Sequence, residues 1–254
     1  MSRFEWLEIP ELGGEIKPVS QFPPLEVEKD ANYYLNSAEK RFYEGYFEPA
    51  LKDYSTALRY DRSAIPGWVG QVRALLSMGE LKEASVWADK ALSLFPRSAD
   101  VLAAKAQVLS KSGKPKDALS YSDTSLGYEP SSEYVWMARG DILLSLRQIK
   151  TADYCLKKVL EGSQKWQLLL QIGIVYLDHK RFPESASFIS KSAAVNTTNA
   201  FIWLKLGQSY HGMHLKSPAR NYYQKALELR PNYQDAEKAK REMERKPCLI
   251  ATVA

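Results

Sequence analysis

An all-α solenoid of stacked helix pairs is the fold class this sequence predicts, and three observations carry it. A bulky side chain recurs at Tyr34, Trp68, Leu102, Trp136, Leu169 and Trp203, with spacings of 34, 34, 34, 33 and 34 residues. Three columns of small residues keep step with it. One reads Ala38, Val72, Ala106, Gly140, Gly173 and Gly207; the next reads Ala50, Ala84, Ala118, Ala152, Ser185 and Ala219; the third reads Ala57, Ala91, Ser125, Val159, Ser192 and Ala226. Proline closes three of the periods, at Pro96, Pro130 and Pro231. A period of this length marks a unit that cannot bury its apolar face alone and must stack on copies of itself.

Each element follows from this pattern. Within a period, apolar residues at helical spacing form two runs around a short turn. Small residues fall where two helices approach so closely that a large side chain has no room. Proline lacks the amide hydrogen that a helix interior needs, so it ends the second helix of its unit. Six units result: 31–64, 65–98, 99–132, 133–165, 166–199 and 200–233. The departures are local. Arg62, Gln164 and Thr197 stand where the terminal proline is absent, and Val72 and Val159 are large for their columns. Pro115 falls at the start of a second helix, where it is tolerated. The one short period is missing a residue between Val159 and Leu169, within 161–165, and an altered step between the fourth and fifth units is expected there.

The last period, NAFIWLKLGQSYHGMHLKSPARNYYQKALELRPN, shows the pattern most fully. With Trp203, Leu206, Gly207, Tyr210, Ala219, Tyr223, Ala226 and Pro231 it resembles the tetratricopeptide repeat, and the other five units can be laid over it. The resemblance implies a right-handed superhelix of antiparallel helix pairs. It also implies a protein-interaction scaffold whose concave face, lined by first helices, holds an extended or helical partner segment.

On each first helix, unit positions 4, 7, 8 and 11 form the stripe that packs, and positions 2, 5, 9 and 12 form the opposite stripe. In the third unit that second stripe is small and polar: Asp100, Ala103, Gln107 and Ser110. In the last three units it turns apolar. The candidate groove residues are Tyr134, Met137 and Leu144, then Leu170, Ile174 and Leu177, then Phe201, Leu204 and His211. Position 5 is apolar in most units and fits between neighbouring first helices, which leaves Leu144, Ile174, Leu177 and Phe201 without a packing reason. An exposed apolar stripe of this kind marks a binding site for a partner with apolar anchors. One repeat subtype grips chaperone C-termini with Lys and Asn at positions 5 and 9 of its first unit, and Lys and Arg at positions 2 and 6 of its third. This chain has Leu35, Glu39, Asp100 and Ala104 there and does not match.

The flanks differ from the array. Residues 1–30 hold three bases and seven acids, a net charge of −4, while the rest of the chain carries +9. Four prolines and Gly13-Gly14 prevent a long helix. Phe4, Trp6, Leu7, Ile9 and Leu12 make this leader either a solvated tail or an intramolecular ligand docked on the basic array. Residues 234–246 alternate a narrow stripe of Ala236, Ala239 and Met243 with charge, as expected of the polar helix that ends a solenoid. The tail 247–254 is apolar. Its CLIATVA resembles the start of a cysteine-led Cys-Phe-Ile box near the C-termini of bacterial proteins, matched at Cys248, Ile250, Ala251 and Thr252. That resemblance implies a bacterial source and a chain that stops inside the box.

Chemistry is hard to find in this sequence. There is no phosphate loop, dinucleotide fingerprint, metal-binding cysteine pair or nucleophile elbow, so neither enzymatic activity nor a cofactor is expected. His211 and His214 lack further ligands nearby in sequence, and Cys155 reads as a small packing residue. No run approaches the length of a membrane span, and the acidic N-terminus does not read as a signal peptide. Two cysteines fit a reducing compartment, and a cytoplasmic location is expected. RNA binding is the reading from another class, because helical-pair repeats of similar length read RNA in the pentatricopeptide family. Those units are 35 residues long and lack these columns, so nucleic acid is not the expected partner.

Overall fold

The computed structural model describes residues 29–128 and 132–244, and these contain thirteen α-helices and no strand. The leader and tail expectations fall on residues outside this set, as does Pro130. The chain divides into two compact bodies, one ending at Gln148 and one beginning at Ile149. The first holds α1 (Ala31–Tyr43), α2 (Phe47–Tyr60), α3 (Ile65–Ser77), α4 (Leu81–Leu94), α5 (Ala99–Lys111), α6 (Pro115–Leu126) and α7 (Glu133–Ser145). The second holds α8 (Ile149–Lys158), α9 (Trp166–Asp178), α10 (Phe182–Val195), α11 (Ala200–Gly212), α12 (Lys216–Leu229) and α13 (Gln234–Glu244).

Packing is sequential in both. In the first body α1 pairs with α2, α3 with α4 and α5 with α6, while the first helices α1, α3, α5 and α7 lie side by side in that order. In the second body α9 pairs with α10 and α11 with α12, and α9, α11 and α13 are neighbours. No tertiary layer other than helix on helix exists among the described residues. A helix of α8's length is the exception in its series: it has 10 residues where the other second helices have 12 to 14. The shortening precedes the loop in which the sequence lacks one residue.

The turn inside each pair is built identically six times. The fifteenth residue of each unit adopts a left-handed backbone: Gly45, Gly79 and Gly113 at φ 77, 79 and 81°, then Arg147, Lys180 and His214 at 60, 60 and 62°. The next residue's N–H returns to the carbonyl five positions back, as in Glu80 to Leu75, Lys114 to Leu109 and Arg181 to Tyr176, at 2.9–3.0 Å. This is the Schellman closure, which satisfies carbonyls the helix end leaves without partners. Four first helices start on a capping side chain: Asp30, Ser98, Ser132 and Asn199 each accept a backbone N–H of the first turn. Such caps are each worth about 1 kcal/mol.

The small-residue columns do two jobs. Ser185 Oγ donates to the Gly173 carbonyl at 2.8 Å, so the two columns do meet across the pair. The glycines also admit a large side chain from the second helix. A Cβ on Gly173 would lie 2.3 Å from Ile189, and one on Gly207 would lie 2.5 Å from the Tyr223 ring. The oversized Val72 is answered in the same currency: its partner position, filled by Ile189 or Tyr223 elsewhere, is Ala88, and both are fully buried in one cluster.

Where a unit lacks its terminal proline and the next begins with tryptophan, the indole closes the loop. Trp68 Nε1 donates to the Arg62 carbonyl at 2.9 Å, and Trp203 Nε1 donates to the Thr197 carbonyl at 2.8 Å. Arg62 and Thr197 are two of the three positions that depart from proline. Last among the described helices, α13 buries Ala236, Ala239 and Met243 and otherwise shows charge to water.

Candidate functional site

In the first body, the face formed by α1, α3, α5 and α7 carries a ladder of polar side chains at position 9 of each unit. They are Glu39, Arg73, Gln107 and Asp141. Arg73 sits among three rings, with its guanidinium carbon 4.6 Å from the centre of Phe42, 5.2 Å from Tyr134 and 5.9 Å from Tyr43. Its side chain is 13% exposed, and its ion pair with Glu39 is long, 3.6 Å from Nη1 to Oε1. Nη2 donates to Tyr43 Oη at 3.5 Å. Tyr54 Oη, from α2, donates to the same Glu39 oxygen at 3.2 Å. Burial acts to lower the Arg73 pKa, but Tyr43, Glu39 and Tyr54 outweigh it and the net shift is upward, so the group is a permanent cation.

Tyr134 is a fixed wall of this cluster. Its hydroxyl donates to Gln107 Oε1 at 2.8 Å, and Gln107 Nε2 donates to Asp141 Oδ2 at 3.3 Å. Asp141 is buried and pairs with Lys111 Nζ at 3.6 Å. Burial first, then the charges of Asp100 and Asp141, push the Tyr134 phenol up against the pull of Arg73.

In the second body the corresponding face is made by α9, α11 and α13. Leu170, Ile174 and Leu177 share one stripe of α9; Leu170 is fully buried, and the other two are half-buried. On α11, Lys205 Nζ stands 5.2 Å from the centre of the Phe201 ring. Burial lowers the Lys205 pKa, opposed by the charges of Asp178 and Asp235. His211 is half-buried, with Nδ1 3.4 Å from the Tyr223 hydroxyl.

The expected groove residues therefore divide. Met137, Leu144, Leu170, Phe201 and Leu204 are buried, so the exposure expected of Leu144 and Phe201 does not hold, and none of the five is open as a groove anchor. For Met137, Leu170 and Leu204 the cause is position 5, which closes between adjacent first helices. For Leu144 and Phe201 the cause is that Gly140–Leu144 and Ala200–Leu204 are continuous buried runs. A helix buried through a full turn has no free stripe. Tyr134, Ile174, Leu177 and His211 keep partial access to solvent.

The Arg73 cluster escaped sequence reasoning, although laying position 9 of successive units in register brings Glu39, Arg73, Gln107 and Asp141 into one row. Cys155 is a buried packing residue. Among the described residues no three His, Cys, Asp or Glu side chains come together as a metal site. No described helix is long and apolar enough to cross a membrane.

A tetratricopeptide-repeat family profile matches residues 202–233, which lie in the sixth unit. A search of curated proteins finds no match. Solved structures match over most of the chain. The Cut9–Hcn1 hetero-tetramer structure of the APC/C aligns at TM-score 0.52 and 15% identity, covering 85% of this chain and 43% of that one. PilW, a type IV pilus biogenesis factor, aligns at 0.50 and 16%, covering 82% and 97%. YrrB, described as a TPR protein with an unusual peptide-binding site, is similar at 0.44 and 20%, covering 74% and 97%. The column set that defines the matched unit recurs through the chain with one turn geometry, and the fold is that of a tetratricopeptide repeat solenoid.

Proposed function

We propose that this protein is a non-catalytic scaffold that binds a segment of a partner protein along its first-helix face, with apolar anchors on the C-terminal body. Tetratricopeptide repeat proteins generally mediate protein–protein interactions. The observation that carries it is the stripe of α9, where Ile174 and Leu177 stay partly open to solvent one turn apart while Leu170 beside them is fully buried. Apolar side chains left partly accessible on one stripe of a helix suit a helical or extended segment with apolar anchors. His211 borders the same body's face, and Tyr134 offers the comparable accessible ring on the N-terminal body.

The test is selection of binding peptides from a random displayed library on the full chain, followed by Leu177→Asp. Selected peptides are expected to be rich in apolar residues. The substitution is expected to weaken them by roughly 2 kcal/mol, about 30-fold, with the helical circular dichroism unchanged. A folded variant that binds the selected peptides as before refutes the assignment. A variant that melts makes Leu177 part of the core instead.

A further inference from the structure

We infer that Arg73, boxed by Phe42, Tyr43 and Tyr134, is a carboxylate-binding subsite on the N-terminal body's first-helix face, and that it takes an acidic side chain of a peptide. This deepens the peptide-binding reading, on which it rests for the source of the ligand.

The Arg73 hydrogen-bond donors are poorly used within the protein. A guanidinium presents five N–H donors, all in its plane. The rings of Phe42 and Tyr134 stand 4.6 and 5.2 Å from the guanidinium carbon, an arrangement that serves the cation without using those donors. What the donors themselves receive is meagre for a side chain only 13% exposed. The bond to Tyr43 is at the limit of a hydrogen bond, at 3.5 Å, and Glu39 stands off at 3.6 Å. The side chain is 13% exposed, so donors that the protein leaves poorly used can reach an external acceptor. The acceptor that matches a planar fork is a carboxylate, held by two parallel N–H···O bonds.

The surroundings are built to hold that geometry. Tyr134 is fixed through Gln107 to Asp141, and the Glu39 oxygen is fixed by Tyr54. Glu39 is 43% exposed and is the internal rival for Arg73. It repels an incoming carboxylate, and its removal strengthens binding. The chemistry has two sources. One is the leader, whose six glutamates (Glu5, Glu8, Glu11, Glu15, Glu26 and Glu28) share the chain. The other is a separate partner.

The experiment is a nuclear magnetic resonance titration of the full chain, reading the Arg73 side-chain Nε–H. The signal is assigned by its loss in Arg73→Lys. Should that variant unfold, Overhauser contacts to the Phe42 and Tyr134 rings assign it in the wild type. The probe is N-acetyl-glutamate-amide, against N-acetyl-glutamine-amide at matched ionic strength. The acid is expected to move the resonance and saturate it, the amide to leave it in place, and Glu39→Gln to raise the acid's affinity severalfold. A second arm replaces the six leader glutamates with glutamine. A shifted Arg73 signal before any probe, with tighter probe binding, assigns the carboxylate to the leader; no change assigns it to a partner. The inference is overturned if the acid moves the resonance no more than the amide does, or if Glu39→Gln fails to raise the acid's affinity. Either failure leaves the Leu177 test of the groove untouched.

Discussion

Gly113 and Lys180 occupy the same place in their units and the same left-handed backbone, at φ 81 and 60°, but only one is glycine. Replacing Gly113 with alanine isolates the conformational cost, because no heavy atom lies within 4 Å of where the new Cβ would sit. Holding an L-residue in this region costs roughly 1–2 kcal/mol. Removing glycine's freedom from the unfolded chain returns about 0.4–1 kcal/mol. The expected net loss is about 1 kcal/mol. Lys180→Gly is the mirror experiment. Lys180 keeps its own N–H bond to the Leu177 carbonyl at 2.9 Å, and the following Arg181 bonds to Tyr176 at 2.9 Å. Neither bond involves the lysine side chain. Glycine there should stabilise the second body by about 0.5–1 kcal/mol, since the strain relieved exceeds the entropy added.

Both variants are measured by urea denaturation, followed by circular dichroism and by amide exchange at the turn. Exchange matters because repeat arrays open unit by unit rather than all at once. Gly113→Ala should speed exchange around Lys114, and Lys180→Gly should slow it around Arg181. Should Gly113→Ala prove neutral and Lys180→Gly destabilising, the left-handed turn is not the state the chain holds in solution, and the reasoning fails.

Two further outcomes are expected. Gly207→Ala places a methyl 2.5 Å from the ring of the fully buried Tyr223. An overpacking cost of about 1–3 kcal/mol should exceed the helix gain of about 1 kcal/mol, and an unfolding midpoint at or above wild type would show that the ring has room to move. The phenols of Tyr54, Tyr134, Tyr176 and Tyr223 are all pushed up, by burial before any other cause. The fold favours their neutral form. Their contribution to stability is therefore complete below the ordinary tyrosine pKa of about 10 and is lost as pH rises from there toward the folded values. Urea midpoints that fall steeply above about pH 10, with phenolate absorbance appearing at unfolding, are the expected result. Phenolate absorbance from all the tyrosines before unfolding would contradict it.

The all-helical class and the order of the pairs were legible because they rest on periodicity, which a single sequence displays in full. Val72 looked like a defect when read down its own column. It makes sense only beside Ala88, because packing conserves volume across a contact rather than at a position. The position-15 column was hidden for a related reason: Gly45, Gly79 and Gly113 advertise the left-handed turn, but Arg147, Lys180 and His214 adopt it without any sequence signal. The groove was the least legible. A stripe drawn on one helix cannot show that Leu144 and Phe201 lie within buried turns. The Arg73 box was missed because its members come from α1, α3 and α7, and nothing local ties Tyr134 to Phe42.

The two tryptophan-closed loops make one repeat's ending a property of the next. A proline stops its helix with atoms it already owns, whatever follows. The loop after α2 instead waits for Trp68 on α3, and the loop after α10 waits for Trp203 on α11. Units one and two, and units five and six, are thereby tied by a bond that opening the boundary must break, and the boundary at Pro96 has no indole to make it. An array with two kinds of boundary has its cooperativity written unevenly along its length, and the places where it breaks first are set by which residue ends the helix.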